Sequence, residues 1–373
     1  MTSLRVAHLV PALFDAHDGI VGGAERYAFE LARHMAAVTP TTLVTFGDQD
    51  RSEQVGDLRV RVLGRARYVR GQRTNPVAPG LLGELRAADV VHCHQQHVVA
   101  SSLAALVCRL TGRRAFVTDL GGGGWDVSAY VRTDRWYVAH LHVSEYSRRI
   151  AGHGGEPWAQ VILGGVDAEK FAPAPGAPRD GPVLFVGRLL PHKGVDELIR
   201  AVPDDMSLEI IGRPMDAAYM EHLGTLAAGK RVTFRHDCDD AALVRAYQRA
   251  ACVVLPSVYK SAYGGETNVP ELLGQTLLEG MACGAPTVCT DVASMPEVVA
   301  NGVTGFVVPP NDPAALGARL HWLSSRPERA GAMGHAGRRR VLERFTWPAV
   351  VARCLAVYGA TPGRGGSAHP AYE

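Results

Sequence analysis

The sequence predicts an α/β protein of two domains, each a mostly parallel sheet covered by helices, and three observations predict it. At 373 residues the chain is too long for one ordinary hydrophobic core and suits two units of roughly 170 residues. Short apolar runs of strand length alternate with longer amphipathic segments, the order that builds parallel sheets. Near the middle, PAPGAPRDGP at 173–182 is rich in Pro and Gly and reads as an interdomain linker. The expected division is 1–173 and 174–345, then a helix over 346–360. The tail 361–373 lacks apolar periodicity and is expected to be disordered.

Composition narrows the function. With 47% hydrophobic and 20% charged residues, the chain is ordinary for a globular protein. A net charge of +2 leaves no basic stripe of the kind nucleic-acid binding needs. The seven cysteines (Cys93, Cys108, Cys238, Cys252, Cys283, Cys289, Cys354) are odd in number, form no CxxC pair and sit mostly in apolar surroundings. Reduced thiols and a cytoplasmic location are therefore expected. The opening MTSLRVAHLVPALFDAHDG is broken by His8, Pro11, Asp15 and His17, so it reads as a first strand and not a signal peptide. No apolar run reaches membrane-spanning length.

In chain order, 4–10 is a buried strand and its loop ends in Val21-Gly22-Gly23-Ala24-Glu25. The helix that follows carries Tyr27, Leu31 and Met35 on one stripe. Gly22 and Gly23 at a strand-to-helix turn let a phosphate approach the backbone. No G-x-G-x-x-G occurs, which counts against a nicotinamide dehydrogenase. Further strands are expected at 41–46, 59–63, 89–93, 115–118, 138–143 and 160–163. His92 and His94 share a strand face, with His97 nearby, as some zinc pairs do; no Cys or carboxylate follows at ligand spacing, so no metal site is expected. Asp119 falls at the carboxyl end of a strand, where ligands bind in such sheets, and four glycines (121–124) follow it. They permit a mobile lid or the approach of a bulky acceptor; the other reading is a surface turn with a helix-capping aspartate.

The second unit opens with the strand 183–186 running into Gly187-Arg188, and Lys193-Gly194 precedes an amphipathic helix. Two cations on one strand-to-helix loop can converge on an anion, Arg as a fork and Lys as a point charge. Strands at 208–212 and 231–235 continue the sheet. After the apolar run Val253, Val254, Leu255 comes a Gly-rich loop, then an expected helix from about Leu272 to Cys283, stopped by Gly284 and Pro286. Glu271 opens that helix and Glu279 lies two turns along, roughly 80° and about 12 Å away on an ideal helix. Such carboxylates cannot share one atom but can hold two parts of one extended ligand, and the helix N-terminus favours an anion between them. A diphosphate joining two hydroxyl-bearing sugars fits.

Glu271-x7-Glu279, continued by Gly280-Met281-Ala282-Cys283-Gly284-Ala285-Pro286, resembles the signature of the retaining glycosyltransferases of family 4, commonly E-x7-E-A-M-A-x-G-x-P, with Gly280 in place of alanine. The resemblance spans roughly 4–358. Gly187-Arg188 to Lys193-Gly194 matches the family's G-R-x-x-x-x-K-G, and VILGGVDAEKFAP resembles x-N-G-V-D-x-x-x-F with Gly164 for asparagine. HVSEYSRRI resembles the family's strand and Ser-Glu turn; ERFTWPAVVARCLAVY (343–358) resembles its closing helix. The resemblance implies two Rossmann-like domains facing across a cleft, called GT-B, and a UDP- or GDP-sugar donor held mainly by the second. Gly22, Gly23 and Gly187 would lie at the diphosphate, with Arg188 and Lys193 neutralising its charge. Glu279 would take the ribose and Glu271 the transferred sugar. Gly265, Glu266, Thr267 and Asn268 would line the pocket, Val269 and Leu272 the helix end, with Leu277 on the same donor side. Arg213 would lie near the base. Asp119 stands where many members carry a histidine on the donor sugar or the attacking oxygen, so its role and the sugar stay open. No divalent metal or cofactor is implied, because the two cations do that work. A small polar acceptor is expected, since the first domain has no basic, aromatic-rich helix of the type that docks on anionic membranes. A sugar-nucleotide epimerase or hydrolase, a non-catalytic binding subunit and a homodimer stay open.

Overall fold

The computed structural model of the chain describes residues 4–12, 22–121, 124–176 and 179–359. Two of the four glycines after Leu120 and the C-terminal tail lie outside them. Among the described residues two large sheets stand out.

The first sheet comprises β1 (Val6–Leu9), β2 (Thr41–Phe46), β3 (Arg51–Val55), β4 (Leu58–Leu63), β5 (Val90–Cys93), β6 (Arg114–Val117), β7 (Ala139–His142) and β8 (Ala159–Val161), in the order β8-β7-β6-β5-β1-β2-β4-β3. Every pairing is parallel except β3 with β4. That edge strand, RSEQV, is largely exposed and has no apolar alternation to mark it in the sequence. The second sheet comprises β9 (Val183–Val186), β10 (Leu208–Ile211), β11 (Val232–Arg235), β12 (Cys252–Leu255), β13 (Thr287–Thr290) and β14 (Gly305–Val308), all parallel, in the order β11-β10-β9-β12-β13-β14. The central strands β1, β5, β12 and β13 are buried throughout, which fits their mostly apolar sequences.

Each sheet reverses its winding beside its first strand, between β1 and β5 and between β9 and β12. Such switch points leave a crevice outside the carboxyl ends of the strands. The loops that matter below all leave from those ends.

The chain's final segment returns to the first sheet. The helix expected over 346–360 is Trp347–Gly359, parted at Phe345 and Thr346 from the preceding helix Pro327–Arg344. Thr346 bridges to Val166, and Pro348 occupies a first-turn position where its missing N–H costs no hydrogen bond. The last helix packs on Gly23–Ala36, with the Tyr27 and Trp347 rings 5.2 Å apart. The Tyr358 hydroxyl lies 2.6 Å from His92 Nδ1, and the Arg114 guanidinium donates to the Tyr358 carbonyl.

The helix bearing Glu279 starts later than expected, at Gln275, and ends at Ala282. Gly274 before it is left-handed (φ +73°), a conformation that costs glycine nothing and breaks the helical path back to Leu272. Glu271 therefore sits in the preceding loop, and the ideal-helix spacing to Glu279 does not apply.

Two departures from the family's pattern have steric causes. A Cβ at Gly280 would lie 2.7 Å from Val253 Cγ2, and one at Gly164 would lie 2.2 Å from Leu273 Cδ2. Restoring the usual asparagine, Gly164→Asn, is expected to cost about 1–3 kcal/mol in urea unfolding. In a double-mutant cycle with Leu273→Ala the coupling should reach about 1 kcal/mol. Strict additivity would show that Leu273 is not what excludes the side chain.

Candidate active site

At the end of β9 the chain makes a close backbone crossing. A Cβ on Gly212 would meet the Gly187 carbonyl oxygen at 1.8 Å, so the ends of β9 and β10 can approach only through glycine. Arg188 follows, exposed. Its charge reaches Glu25, on the first helix of the other domain, and His192. Burial nonetheless dominates at Glu25 and raises its carboxyl above the usual range. That carboxylate folds back over Gly22, since a Cβ there would lie 2.8 Å from Oε2. Gly23 faces open space. Arg188 and the Gly22-Gly23 turn thus oppose each other across the domains.

Lys193 closes a short turn, Pro191–Lys193, and left-handed Gly194 (φ +65°) lies against Pro256 at the end of β12. The Lys193 ammonium pairs with Glu271 Oε1 and sits 3.4 Å from the Pro270 carbonyl. Ser257 Oγ donates to the same Glu271 oxygen at 3.0 Å. Side-chain exposure is only 13% and 12% for the pair, so water screens it less than a surface ion pair. Residues 78 apart in sequence are brought together at the switch point.

Glu279 is almost enclosed, at 5% exposure. Tyr247, buried on helix Asp240–Arg249, donates its hydroxyl to Glu279 Oε2 at 2.7 Å. Burial pushes this carboxyl up, against the Tyr247 hydrogen bond and the charges of Arg26 and Lys170. Nothing in the sequence singled out Tyr247, because an apolar-faced helix tyrosine looks like packing.

The loop from Tyr259 to Thr267 folds on itself: Lys260 bridges Glu266, Thr267 N–H donates to Tyr259 at 2.8 Å, and Gly264 and Gly265 both have positive φ. Gly265, Glu266 and Asn268 are exposed on it. Arg213 is exposed at the end of β10, its carbonyl accepting from Leu189 N–H. Leu277 departs from expectation. It is fully buried in the second domain's core and its N–H donates to the Gly274 carbonyl at 3.0 Å, so neither side chain nor amide is free for a ligand.

Val269 and Leu272 do not form a helix end. They line a cavity of about 330 Å³ whose opposite wall is the first domain, including Asp119, Asp134, His142 and His153. Asp119, just past β6, accepts weakly from the N–H groups of Gln96 (3.3 Å) and Gly121 (3.4 Å).

A clasp missed in the sequence joins the domains beside this cavity. Glu297 reaches across to the N-terminus of helix Glu145–Ile150 and accepts from Glu145 N–H (2.8 Å) and Tyr146 N–H (2.7 Å). Ser144 Oγ donates to the Leu272 carbonyl at 2.7 Å, and the Tyr146 hydroxyl to that of Asn268 at 2.5 Å. A carboxylate on orphan helix N–H groups is a charge-assisted cap favoured by the dipole.

The histidines regroup. His92 and His94 cluster with His8, and His97 instead contacts Ser128 at 2.9 Å on the cavity side. Within the trio most ring nitrogens have protein partners: His8 with His94 (2.8 Å) and His92 with Thr118 (2.8 Å) and Tyr358. Burial depresses all three, His8 to about 3. His140, His142 and His153 form a second cluster.

Two family models divide the chain between them: Glycosyltransferase Family 4 over residues 21–170 and Glycosyl transferases group 1 over 167–340. A GDP-mannose-dependent alpha-(1-6)-phosphatidylinositol monomannoside mannosyltransferase of Mycolicibacterium smegmatis is 32% identical over 279 residues, covering 66% of this chain and 71% of the relative. The chain belongs to glycosyltransferase family 4. Solved structures similar to this glycosyltransferase include sucrose-phosphate synthase of Thermosynechococcus elongatus (TM-score 0.73, 20% identity, 95% of this chain and 98% of that one). The Anabaena protein HepE in complex with UDP and glucose is another (TM-score 0.72, 17% identity, 95% and 98%). They share its fold, the GT-B arrangement.

If the clasp holds the glycosyltransferase's two domains in register, Glu297→Ala should lower stability by about 1–3 kcal/mol, because two helix N–H groups lose a charged acceptor. Urea unfolding with a conservative Glu297→Gln control, expected to fall between, measures it. An unchanged midpoint in both would show that the clasp contributes nothing.

Proposed function

We propose that this glycosyltransferase moves a sugar from UDP- or GDP-sugar to a hydroxyl of a small polar acceptor, with retention of anomeric configuration. The observation that carries the reading is the convergence of Lys193, Glu271 and Arg188 at the second sheet's switch point, opposite the Gly22-Gly23 turn. Cations, a sugar-grade carboxylate and helix-start N–H groups there make one site for a diphosphate with a sugar on it. The name of the mycobacterial relative specifies GDP-mannose, and HepE was solved with UDP and glucose; both fit a nucleotide site in this fold.

In this reading the anomeric C–O bond to the diphosphate breaks and its electron pair stays on the departing phosphate oxygen. Arg188 and Lys193 stabilise the negative charge that grows there, which is worth most because it is larger in the transition state than in the bound donor. The acceptor oxygen attacks the same face, forms the new C–O bond, and gives its proton to a leaving phosphate oxygen. No protein base is then needed, and no carboxylate need act as nucleophile. Glu271 exchanges Lys193 for hydroxyls of the sugar, Glu279 orients the ribose with Tyr247 behind it, and the two cations make a divalent metal unnecessary. All seven cysteines are free thiols, six of them buried, which suits a reducing cytoplasm.

Mass-spectrometric assay of a nucleotide-sugar panel against hydroxyl acceptors, with the product's anomeric coupling read by NMR, tests the reading. Incubation with donor alone separates transfer from hydrolysis or epimerisation. Lys193→Ala and Glu271→Ala should each lower turnover about 10²-fold or more, roughly 2.7 kcal/mol of barrier. Full activity in both variants would refute the assignment.

A further inference from the structure

The cavity between Asp119 and Leu272 has a charge balance that donor chemistry does not explain. Two carboxylates, Asp119 and Asp134, line it, and among the described residues no lysine or arginine does. Asp134 accepts from Gln96 Nε2 at 2.8 Å and lies 3.6 Å from His153 Nε2. Burial opposes its ionisation, but hydrogen bonds, the one from Gln96 foremost, hold the carboxyl below the usual range. His142 and His153 offer little compensating charge, since burial lowers His153 and takes His142 to about 3. The guanidinium whose field reaches His142, Arg148, is committed to Glu145 at 2.6 Å. His142 Nε2 is taken by His153 at 3.1 Å; its Nδ1 has no partner among the described residues, although the side chain is 96% buried and lines the cavity. Among the described residues Asp119 holds two long backbone bonds, both on Oδ1.

Anionic oxygens with few partners in a half-enclosed space favour a ligand that brings positive charge and N–H donors, and repel a phosphate. We propose that this cavity is the acceptor subsite and that it selects an amine-bearing sugar or cyclitol, its ammonium between Asp119 and Asp134, over neutral and phosphorylated analogues. The proposal rests on the donor reading above. It adds the acceptor's chemical class. The carboxylates bind the ammonium while the attacking hydroxyl, on the same molecule, faces the donor side marked by Leu272.

The experiment is ligand-observed NMR titration of the full chain, saturated in turn with UDP and GDP, using glucosamine, 6-amino-6-deoxyglucose, glucose and glucose 6-phosphate as probes. At least one amino sugar is expected to bind about 10-fold or more tighter than glucose, with glucose 6-phosphate weakest. In Asp119→Asn and Asp134→Asn the amine-over-hydroxyl ratio should fall to about 3-fold or less. A ratio within one preparation is insensitive to partial loss of folded protein. Equal or tighter binding of glucose 6-phosphate, no amine preference, or an unchanged ratio in both variants overturns the proposal. Failure of the wild-type protein to bind either nucleotide would instead sink the donor reading, which the same titration records separately.

Discussion

One carboxylate sets the geometry on which the crevice depends. Glu297 of the second domain accepts the two foremost N–H groups of a first-domain helix, beside the local cap in which Ser144 accepts from Ser147 N–H. Arg340 holds the backbone of Glu297 and Val298, so the carboxylate projects from a braced segment. Ser144 and Tyr146 extend the same seam to the carbonyls of Leu272 and Asn268, on either side of Glu271. The loop that carries Glu271 is thus pinned from the opposite domain. Its helix, starting only at Gln275, could not pin it alone.

The two walls of the crevice have opposite electrostatic character. On the second domain Lys193 meets Glu271 and Arg188 projects outwards, a cationic edge relieved by one carboxylate. The cavity wall of the first domain carries two carboxylates, with His142, lowered by burial, behind them. A ligand that is negative towards one side and positive or neutral towards the other is stabilised by both, and the reversed orientation is opposed by both. In the proposed reaction that polarity would order donor and acceptor before any hydrogen bond discriminates between them.

Much of this was legible in the residues, and what was not has physical causes. Alternating apolar runs placed the parallel strands to within about two residues, because central strands buried on both faces leave an unambiguous pattern. The polar edge strand Arg51–Val55 left none. The Arg188, Lys193, Glu271 and Glu279 positions stood out by their resemblance to the family's motifs, yet helical spacing misjudged the geometry, since left-handed Gly274 parts Glu271 from the helix. Leu277 belonged to the motif but its burial assigns it to the core. Tyr247, Glu297, Asp134 and the His142–His153 pair could not be found by any local rule. Each acts through a partner on another element, and only the fold makes that partner a neighbour.

The Lys193–Glu271 pair shows why such sites keep their charges matched even without a ligand. Each group is about seven-eighths shielded from water, so either alone would carry a desolvation cost with no compensating field. Paired, they hold each other in place; in the proposed reaction a diphosphate-linked sugar would offer each a new partner, phosphate oxygens for the ammonium and hydroxyls for the carboxylate. Such an exchange would strand neither charge, and the Ser257 hydroxyl, which donates to Glu271, is placed to orient it. Removing one member leaves the other a buried, unmatched charge, so the loss on truncating Lys193 includes what happens to Glu271, and the two effects cannot add. The pair behaves as one unit, and it is the unit that the switch-point topology positions.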